Sequence, residues 1–195
     1  TGLVTGLANG FGVIIAYWFG AKQNSKVNRA FGSSLLFGAL LSFLLTFFAV
    51  IFLPQLLTLV NVPQKHMTEA TAYIRILLLG MCAAMLYNIL AAALRAIGDV
   101  LAPLLFLIIS ATLNVALDFS FVKHLQMGVL GASAATVIAQ FISAILCVVY
   151  ITKKYPIFKL SKNSFVLEAD MSRQLWMSGL SMGLMNSLVY TGTLI

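Results

Sequence analysis

The chain is poor in charge and in cysteine, and each shortage argues against a class of protein. Only 9% of its 195 residues are charged, whereas a soluble domain carries about 25%. A chain with so few charges cannot cover a water-facing surface, so lipid is the alternative solvent. Cys82 and Cys147 lie in apolar runs without a CxxC or Cys/His spacing, which argues against a disulfide framework and a zinc site. We also find no HExxH, Ser/His/Asp set or phosphate-binding glycine loop, and we expect no enzyme.

Long apolar runs are what the sequence has instead: 61% of the residues are hydrophobic. A membrane-spanning helix needs about 20 apolar residues, and these runs are too long, and too little alternating, for barrel strands. The sequence therefore predicts an all-α, polytopic transmembrane helix bundle of about six spans. They lie near residues 1–21, 31–53, 70–95, 100–122, 125–152 and 174–195.

The links between these runs carry most of the charge. We expect a polar link at 22–30, a second link marked by Pro54 and Pro63, and a short interfacial helix at Ser161–Arg173. Both ends of the chain lie in apolar runs, which suggests a piece of a longer protein. Nine cations lie in alternate links and only three in the others, so the first set is expected in the cytoplasm: Lys22, Lys26, Arg29, Arg95, Lys153, Lys154, Lys159, Lys162 and Arg173. The net charge of +7 forms no continuous basic face, so nucleic acid is not the expected partner.

Asp118 is an acidic residue inside a predicted span, about 6 Å from its outer end at 1.5 Å rise per residue. A carboxylate in this position is costly unless it faces a polar interior, takes up a proton or binds a cation. Asn114 lies one turn before it and Ser110 one turn earlier, on one helix face. Counting inward from the outer ends puts Thr136 of the next span at about the depth of Asn114. These oxygen ligands suit a proton or an alkali cation.

Two other interpretations of the polar residues stay open. In one interpretation Asp118 pairs with Lys123 or His124 at the interface in a purely structural arrangement. In the other it takes up a proton or binds a cation. Gln140 shares a face with Thr136, and Asn186 and Tyr190 are candidates for the lining of a substrate cavity. The same side chains are equally suited to hydrogen bonding between packed helices.

Four segments carry a resemblance to a known family. They are GVIIAYWFGAKQ at 12–23, AAALRAIGDVLAP at 91–103, LNVALDFSFV at 113–122 and GVLGASAATVIAQ at 128–140. In order and spacing these segments resemble the second to sixth helices of multidrug and toxic compound extrusion (MATE) transporters. The resemblance extends from within the second helix into the seventh. It implies a partial N-terminal lobe, with residues 174–195 beginning the next lobe.

The resemblance also implies a function. MATE proteins have two six-helix lobes and export organic cations by alternating access, in exchange for H⁺ or Na⁺. In several members an Asn and an Asp one turn apart on the fifth helix and a Thr on the sixth form a cation site. Asn114, Asp118 and Thr136 occupy these positions, and they would be metal ligands if Na⁺ is the coupling ion. No other cofactor is implied.

Several expectations follow for the whole protein. The expected activity is cation-coupled export of organic cations across the cytoplasmic membrane of a bacterium. The expected partners are organic cations, membrane lipids, and the first helix and C-terminal lobe of the same polypeptide. Two rivals remain: a flippase for lipid-linked precursors from the same superfamily, and a membrane scaffold or channel subunit without coupled transport. A flippase is expected to have a basic cavity, and the predicted spans hold no Lys or Arg in their interior.

Overall fold

The fold is described for residues 2–192 by a computed structural model. Within this range the chain is helical and contains no β-strand, which confirms the all-α prediction. The seven α-helices are α1 (Gly2–Gly20), α2 (Asn24–Leu59), α3 (Met67–Leu79), α4 (Met81–Ala96), α5 (Leu101–Phe119), α6 (Gly128–Lys154) and α7 (Ala169–Gly192). Short 3₁₀ turns occupy Gln64–His66, Pro156–Phe158 and Lys162–Phe165, and a π-helical turn occupies Ser120–His124.

Five stretches are long and apolar enough to cross a membrane. They are Gly2–Gly20, Asn24–Leu59, Gln64–Ala96, Leu101–His124 and Gly128–Lys154. Six spans were expected, and α7 is not among the five over its described length. Its serines, together with Asp170, Arg173, Gln174 and Asn186, lower its mean hydropathy. The five spans agree with a polytopic membrane bundle.

The boundaries of α2 differ from those expected. The helix begins at Asn24, within the segment predicted as a polar link, because a helical turn tolerates the polar Asn, Ser and Lys residues at a membrane surface. Pro54 lies inside α2 and does not end it. A proline removes one backbone donor near the end of the helix, and the apolar residues that follow it continue the turn to Leu59.

The third span is divided near the middle of its length. Gly80 separates α3 from α4, although Gly80 N–H still donates to Ile76 O at 3.0 Å and the chain stays nearly helical. Thr46 Oγ1 of α2 donates to Leu78 O at 3.0 Å beside this break. The expected interfacial helix at Ser161–Arg173 is wrong: this segment forms a 3₁₀ turn and an irregular stretch, and α7 begins at Ala169.

The helices α1 and α7 pack along a glycine seam. A Cβ on Gly6 would lie 2.5 Å from Met182 O, and one on Gly10 would overlap the backbone at Ser178. Only glycine therefore allows the two backbones to approach this closely. The main core contains Leu7 and Phe11 of α1, which also contact Gly179 of α7, together with residues of α2, α4 and α7. The helix that was expected to begin the next lobe is thus tightly attached to α1.

Candidate functional site

Helices α5 and α6 are held together by polar side chains at three levels. Ser143 Oγ donates to Phe106 O at 3.1 Å, and Ser110 Oγ donates to Ala139 O at 3.1 Å. At the next level outward Asn114 Nδ2 donates to Thr136 Oγ1 at 3.2 Å. The depth count that paired Asn114 with Thr136 is confirmed by this contact.

Asp118 continues this face of α5 by one turn. It is half-buried, and within residues 2–192 its Oδ1 is shielded from solvent and has no hydrogen-bond partner. A buried polar atom without a partner is rare in native structures, because it forfeits its hydration without replacement. The π-helical turn Ser120–His124 begins two residues later, and π turns are frequent at functional sites. The orphaned carboxylate oxygen is the feature of this region that most requires a ligand or a proton.

The structure does not pair Asp118 with its nearest cations. Lys123 Nζ lies over the Phe119 ring, 4.6 Å from its centroid, and the His124 ring contacts Phe119 edge-on at 5.6 Å. No salt bridge within the described range joins Asp118 to Lys123 or His124. No contact among the described residues therefore supports the alternative in which Asp118 pairs with Lys123 or His124.

Two cavities meet at this site. One, of about 320 Å³, lies between α4, α5 and α6 and reaches Asn114. The other, of about 350 Å³, lies between α1, α3, α4 and α6. They share a wall made of Ala84, Asn88, Thr136 and Gln140. Among the described residues that line the two cavities none is Lys or Arg, so their polar character comes from neutral amides and hydroxyls.

The predicted site residues are only partly brought together. Asn114, Thr136 and Gln140 line one cavity, and Asp118 lies on the same face of α5 as Asn114. Asn186 lies on α7, which contacts α1 and α2 but not α5 or α6 over the described residues. The side chain of Tyr190 lies outside the described part of the structure. The cation-binding role of the first residues and the cavity role of Asn186 and Tyr190 stay predictions.

Oxygen atoms of the right kind for a hard cation are present. Asn114 uses Nδ2 toward Thr136, which leaves its Oδ1 as the atom that can accept a cation. With the Thr136 hydroxyl and the Asp118 carboxylate this gives one charged and two neutral oxygen donors, which suit a proton or Na⁺. Over residues 2–192 no cluster of three His, Cys, Asp or Glu side chains is placed to hold a metal ion.

A second polar cluster, at the end of the bundle that is expected in the cytoplasm, was not recognised as a unit from the sequence. Asp99 Oδ2 accepts hydrogen bonds from Tyr150 OH at 2.8 Å, Tyr155 OH at 2.5 Å and Lys154 Nζ at 3.3 Å. Its Oδ1 accepts from Ala102 N–H at 3.2 Å, at the start of α5. Burial raises the pKa of Asp99, but these four donors outweigh it and lower the pKa to about 2. The spacing of Asp99 three residues before Ala102 was a signal for this cap; its tyrosine partners lie about fifty residues away in sequence.

Comparisons with known proteins agree with this architecture. A family model described as MatE matches residues 1–120. The probable multidrug resistance protein YoeA of Bacillus subtilis (strain 168) is 31% identical over 160 residues, which are 78% of this chain and 34% of that protein. This chain thus spans about a third of the length of that relative.

Two solved structures share the fold. One is described as the inward-facing conformation of a multidrug resistance MATE family transporter of the MOP superfamily. It matches with a TM-score of 0.89 and 22% identity, over 95% of this chain and 42% of that chain. The structure described as the outward-facing conformation matches with a TM-score of 0.88 and 22% identity, over 95% of this chain and 41% of that chain. These structures show the shared fold, and the family model, which matches more than half of the chain, shows that the chain belongs to the MatE family of multi-pass membrane transporters.

Proposed function

We propose that this chain is a partial N-terminal lobe of a multidrug exporter driven by inward movement of H⁺ or Na⁺, with residues 174–195 beginning the next lobe. The observation that carries the proposal is the buried, unpartnered Oδ1 of Asp118 beside the Asn114–Thr136 hydrogen bond. A relative named a probable multidrug resistance protein supports the export of drugs. The missing first helix and the C-terminal lobe are expected to complete the transport path.

In the proposed mechanism the charge of Asp118 selects between two conformations. An unpaired carboxylate is costly inside the membrane, and a proton or Na⁺ removes that cost. A ligand shifts a conformational equilibrium only by its differential affinity for the two states. A coupling ion that binds one state better therefore biases the transporter toward it, and binding of the exported compound to the other state completes the exchange.

Alternating access by movement of whole lobes fits the comparisons. The inward-facing and outward-facing transporters match this chain with nearly equal TM-scores, 0.89 and 0.88, over the same 95% of its length. A unit that superposes equally on both conformations is one that keeps its internal arrangement between them. We therefore propose that helices α1 to α6 move together as one body.

An organic cation or a neutral compound is the proposed cargo. The lining of both cavities is neutral, with apolar walls and the amides of Asn88 and Gln140. A flippase for polyanionic lipid-linked precursors would need cations in the cavity to compensate its cargo, and the described lining has none. This observation favours the exporter over the flippase.

The test is efflux of a fluorescent organic cation, ethidium, from membrane vesicles that contain the full-length protein. Asp118→Asn keeps the shape of the side chain and removes its charge. We expect efflux driven by a pH or Na⁺ gradient to fall roughly 5-fold to 150-fold at equal protein abundance. This is the fold-change that corresponds to typical coupling free energies of about 1–3 kcal/mol. The gradient that drives the wild type identifies the ion.

Asp170→Asn is the matched control, because it makes the same chemical change at an exposed position in the first turn of α7. Gradient-driven efflux that survives Asp118→Asn would remove Asp118 from coupling. Absence of ethidium efflux in the wild type, with either gradient, would favour the flippase or the non-transporting scaffold.

A further inference from the structure

We propose that a groove at the cytoplasmic end of α5 and α6 is a binding site for one anionic phospholipid of the inner leaflet. The groove has a volume of about 370 Å³ and is lined by Phe106 of α5 and by Leu146, Val149, Tyr150, Lys153 and Lys154 of α6. It is separate from the two cavities at the proposed coupling site. The proposal does not depend on the direction, the ion or the cargo of transport.

The wall of the groove has the pattern of a lipid contact. Leu146, Val149, Tyr150 and Lys153 follow one another at helical spacing, so they form one stripe along α6. The stripe is apolar at Leu146, toward the middle of the span, and cationic at Lys153, near the end of α6. Seven residues separate Leu146 from Lys153, about 10 Å at 1.5 Å rise per residue. This length places a headgroup phosphate at Lys153 and the first methylenes of an acyl chain along Val149 and Leu146.

The opposite wall is rigid. The Phe106 and Tyr150 rings pack edge-to-face with centroids 5.5 Å apart, and Ser143 Oγ donates to Phe106 O just below them. Asp99 fixes the outer end through its hydrogen bonds with Tyr150 and Lys154. A preformed groove binds a lipid tail without the entropic cost of ordering its own side chains.

Charge decides which lipid the groove accepts. The Lys154 ammonium is compensated by Asp99, at 3.3 Å. Lys153 is exposed, and among the described residues it has no acidic partner. The rim of the groove therefore carries one uncompensated positive charge, which complements a phospholipid with a net charge of minus one. A zwitterionic lipid carries a cationic group in its own headgroup, so its electrostatic attraction to Lys153 is weaker. An amphipathic Tyr150 at the headgroup level is typical of such an interface.

The experiment measures lipid selectivity of the full-length protein in phosphatidylcholine vesicles with spin-labelled lipids. The wild type is expected to select spin-labelled phosphatidylglycerol over spin-labelled phosphatidylcholine. Lys153→Gln is expected to reduce this selectivity about fivefold, which is about 1 kcal/mol, the typical contribution of one juxtamembrane cation. Val149→Trp fills the groove but keeps the charge, and it is expected to reduce the selectivity as well.

Lys159→Gln is the matched control, since Lys159 is an exposed lysine of the same membrane side but does not line the groove. The site is disproved if Lys159→Gln and Lys153→Gln have equal effects, because the selectivity then comes from diffuse surface charge. It is equally disproved if the wild type shows no preference, if Val149→Trp leaves the preference unchanged, or if soluble glycerol 3-phosphate displaces the spin-labelled lipid.

Discussion

At the scale of single residues, the half-buried carboxylates of Asp99 and Asp118 are in opposite situations. Asp99 has four hydrogen-bond donors, whereas Asp118 Oδ1 has none among the described residues. A carboxylate that accepts several hydrogen bonds is stabilised in its charged form and serves the fold. One without partners favours any event that neutralises it. This contrast assigns Asp99 to stability and leaves Asp118 to the proposed coupling.

The first prediction at this scale concerns Asp99. Asp99→Asn replaces an acceptor oxygen with an amide NH₂ group, which cannot accept hydrogen bonds from the surrounding donors. We expect this change to destabilise the fold by about 1.5–3 kcal/mol, as for lost hydrogen bonds to a charged group. The pKa of Asp99 is lowered from 3.8 to about 2 in the folded protein. The charged form therefore stabilises the fold fully above pH 3.8, and this contribution is lost as the pH falls toward 2.

Thermal unfolding of the detergent-solubilised, full-length protein at a series of pH values measures this effect. The difference in melting temperature between wild type and Asp99→Asn is expected to be constant from neutral pH to about pH 5 and to shrink below it. Asp170→Asn, on an exposed acid, is expected to give no pH-dependent difference. A difference that grows on acidification would contradict the assignment of Asp99.

The sequence predicted single residues of the site better than their partners. Asp118 was identified because a charge in an apolar run is costly wherever the helix packs. Asn114 and Thr136 followed from the constant rise of a helix, and their contact at 3.2 Å agrees with that count. The partners of Asp99 could not be found this way, because Tyr150 and Tyr155 reach it only through the packing of α5 on α6.

At the scale of helices, Gly80, where α3 ends and α4 begins, packs closely on α6. A Cβ at Gly80 would overlap the γ-methyl groups of Val137, the residue after Thr136. The apolar run 70–95 predicted one continuous span, since a single glycine in such a run is not a reliable helix break. The close approach of α6 accounts for the glycine at the junction of α3 and α4.

This close approach predicts a reversal of the usual effect of alanine. In an open helix Gly→Ala stabilises by about 0.5–1 kcal/mol, but Gly80→Ala is expected to lower the melting temperature because Val137 must move. Val137→Ala in addition removes the overlapping methyl groups, and the double variant is expected to recover the loss. Gly20→Ala, where a Cβ has nothing within 4 Å, is the control without a clash.

Thermal unfolding of the wild type, Gly80→Ala, Val137→Ala and the double variant gives the coupling free energy between residues 80 and 137. A double-mutant cycle with a coupling free energy of about 0.5–3 kcal/mol is typical of residues in contact. Independent, additive effects of Gly80→Ala and Val137→Ala would contradict the close contact between the two residues.

At the scale of the whole molecule, the segment between α6 and α7 is attached to the start of α2. Asn28 Nδ2 donates to Ile157 O at 2.7 Å and to Lys159 O at 3.0 Å, and Ser164 Oγ donates to Asn28 Oδ1. Arg29 forms a salt bridge with Glu168, and Phe158 packs on Phe31 with ring centroids 4.7 Å apart. This connection, which leads to the expected second lobe, is therefore fixed to the described bundle.

The attachment predicts slow amide hydrogen exchange in the connection between α6 and α7, although this segment has little regular secondary structure. Asn28→Ala removes the acceptor of Ser164 and the donor to two carbonyl groups of the connection. We expect the amide groups of residues 157–165 to exchange about tenfold or more faster, since each lost hydrogen bond contributes about 0.5–1.5 kcal/mol and a 1.4 kcal/mol change is a factor of ten. Amides in α5, remote from this contact, are expected to be unchanged.

Asn24→Ala is the matched control, because Asn24 is exposed at the first position of α2 and takes part in none of these contacts. Mass spectrometry after exchange of the full-length protein compares the three proteins peptide by peptide. Fast exchange of residues 157–165 in the wild type would show that the connection is a flexible tether. In that case the position of α7 would depend on its helix contacts with α1 and α2, whereas slow exchange that Asn28→Ala abolishes means that the connection holds it as well.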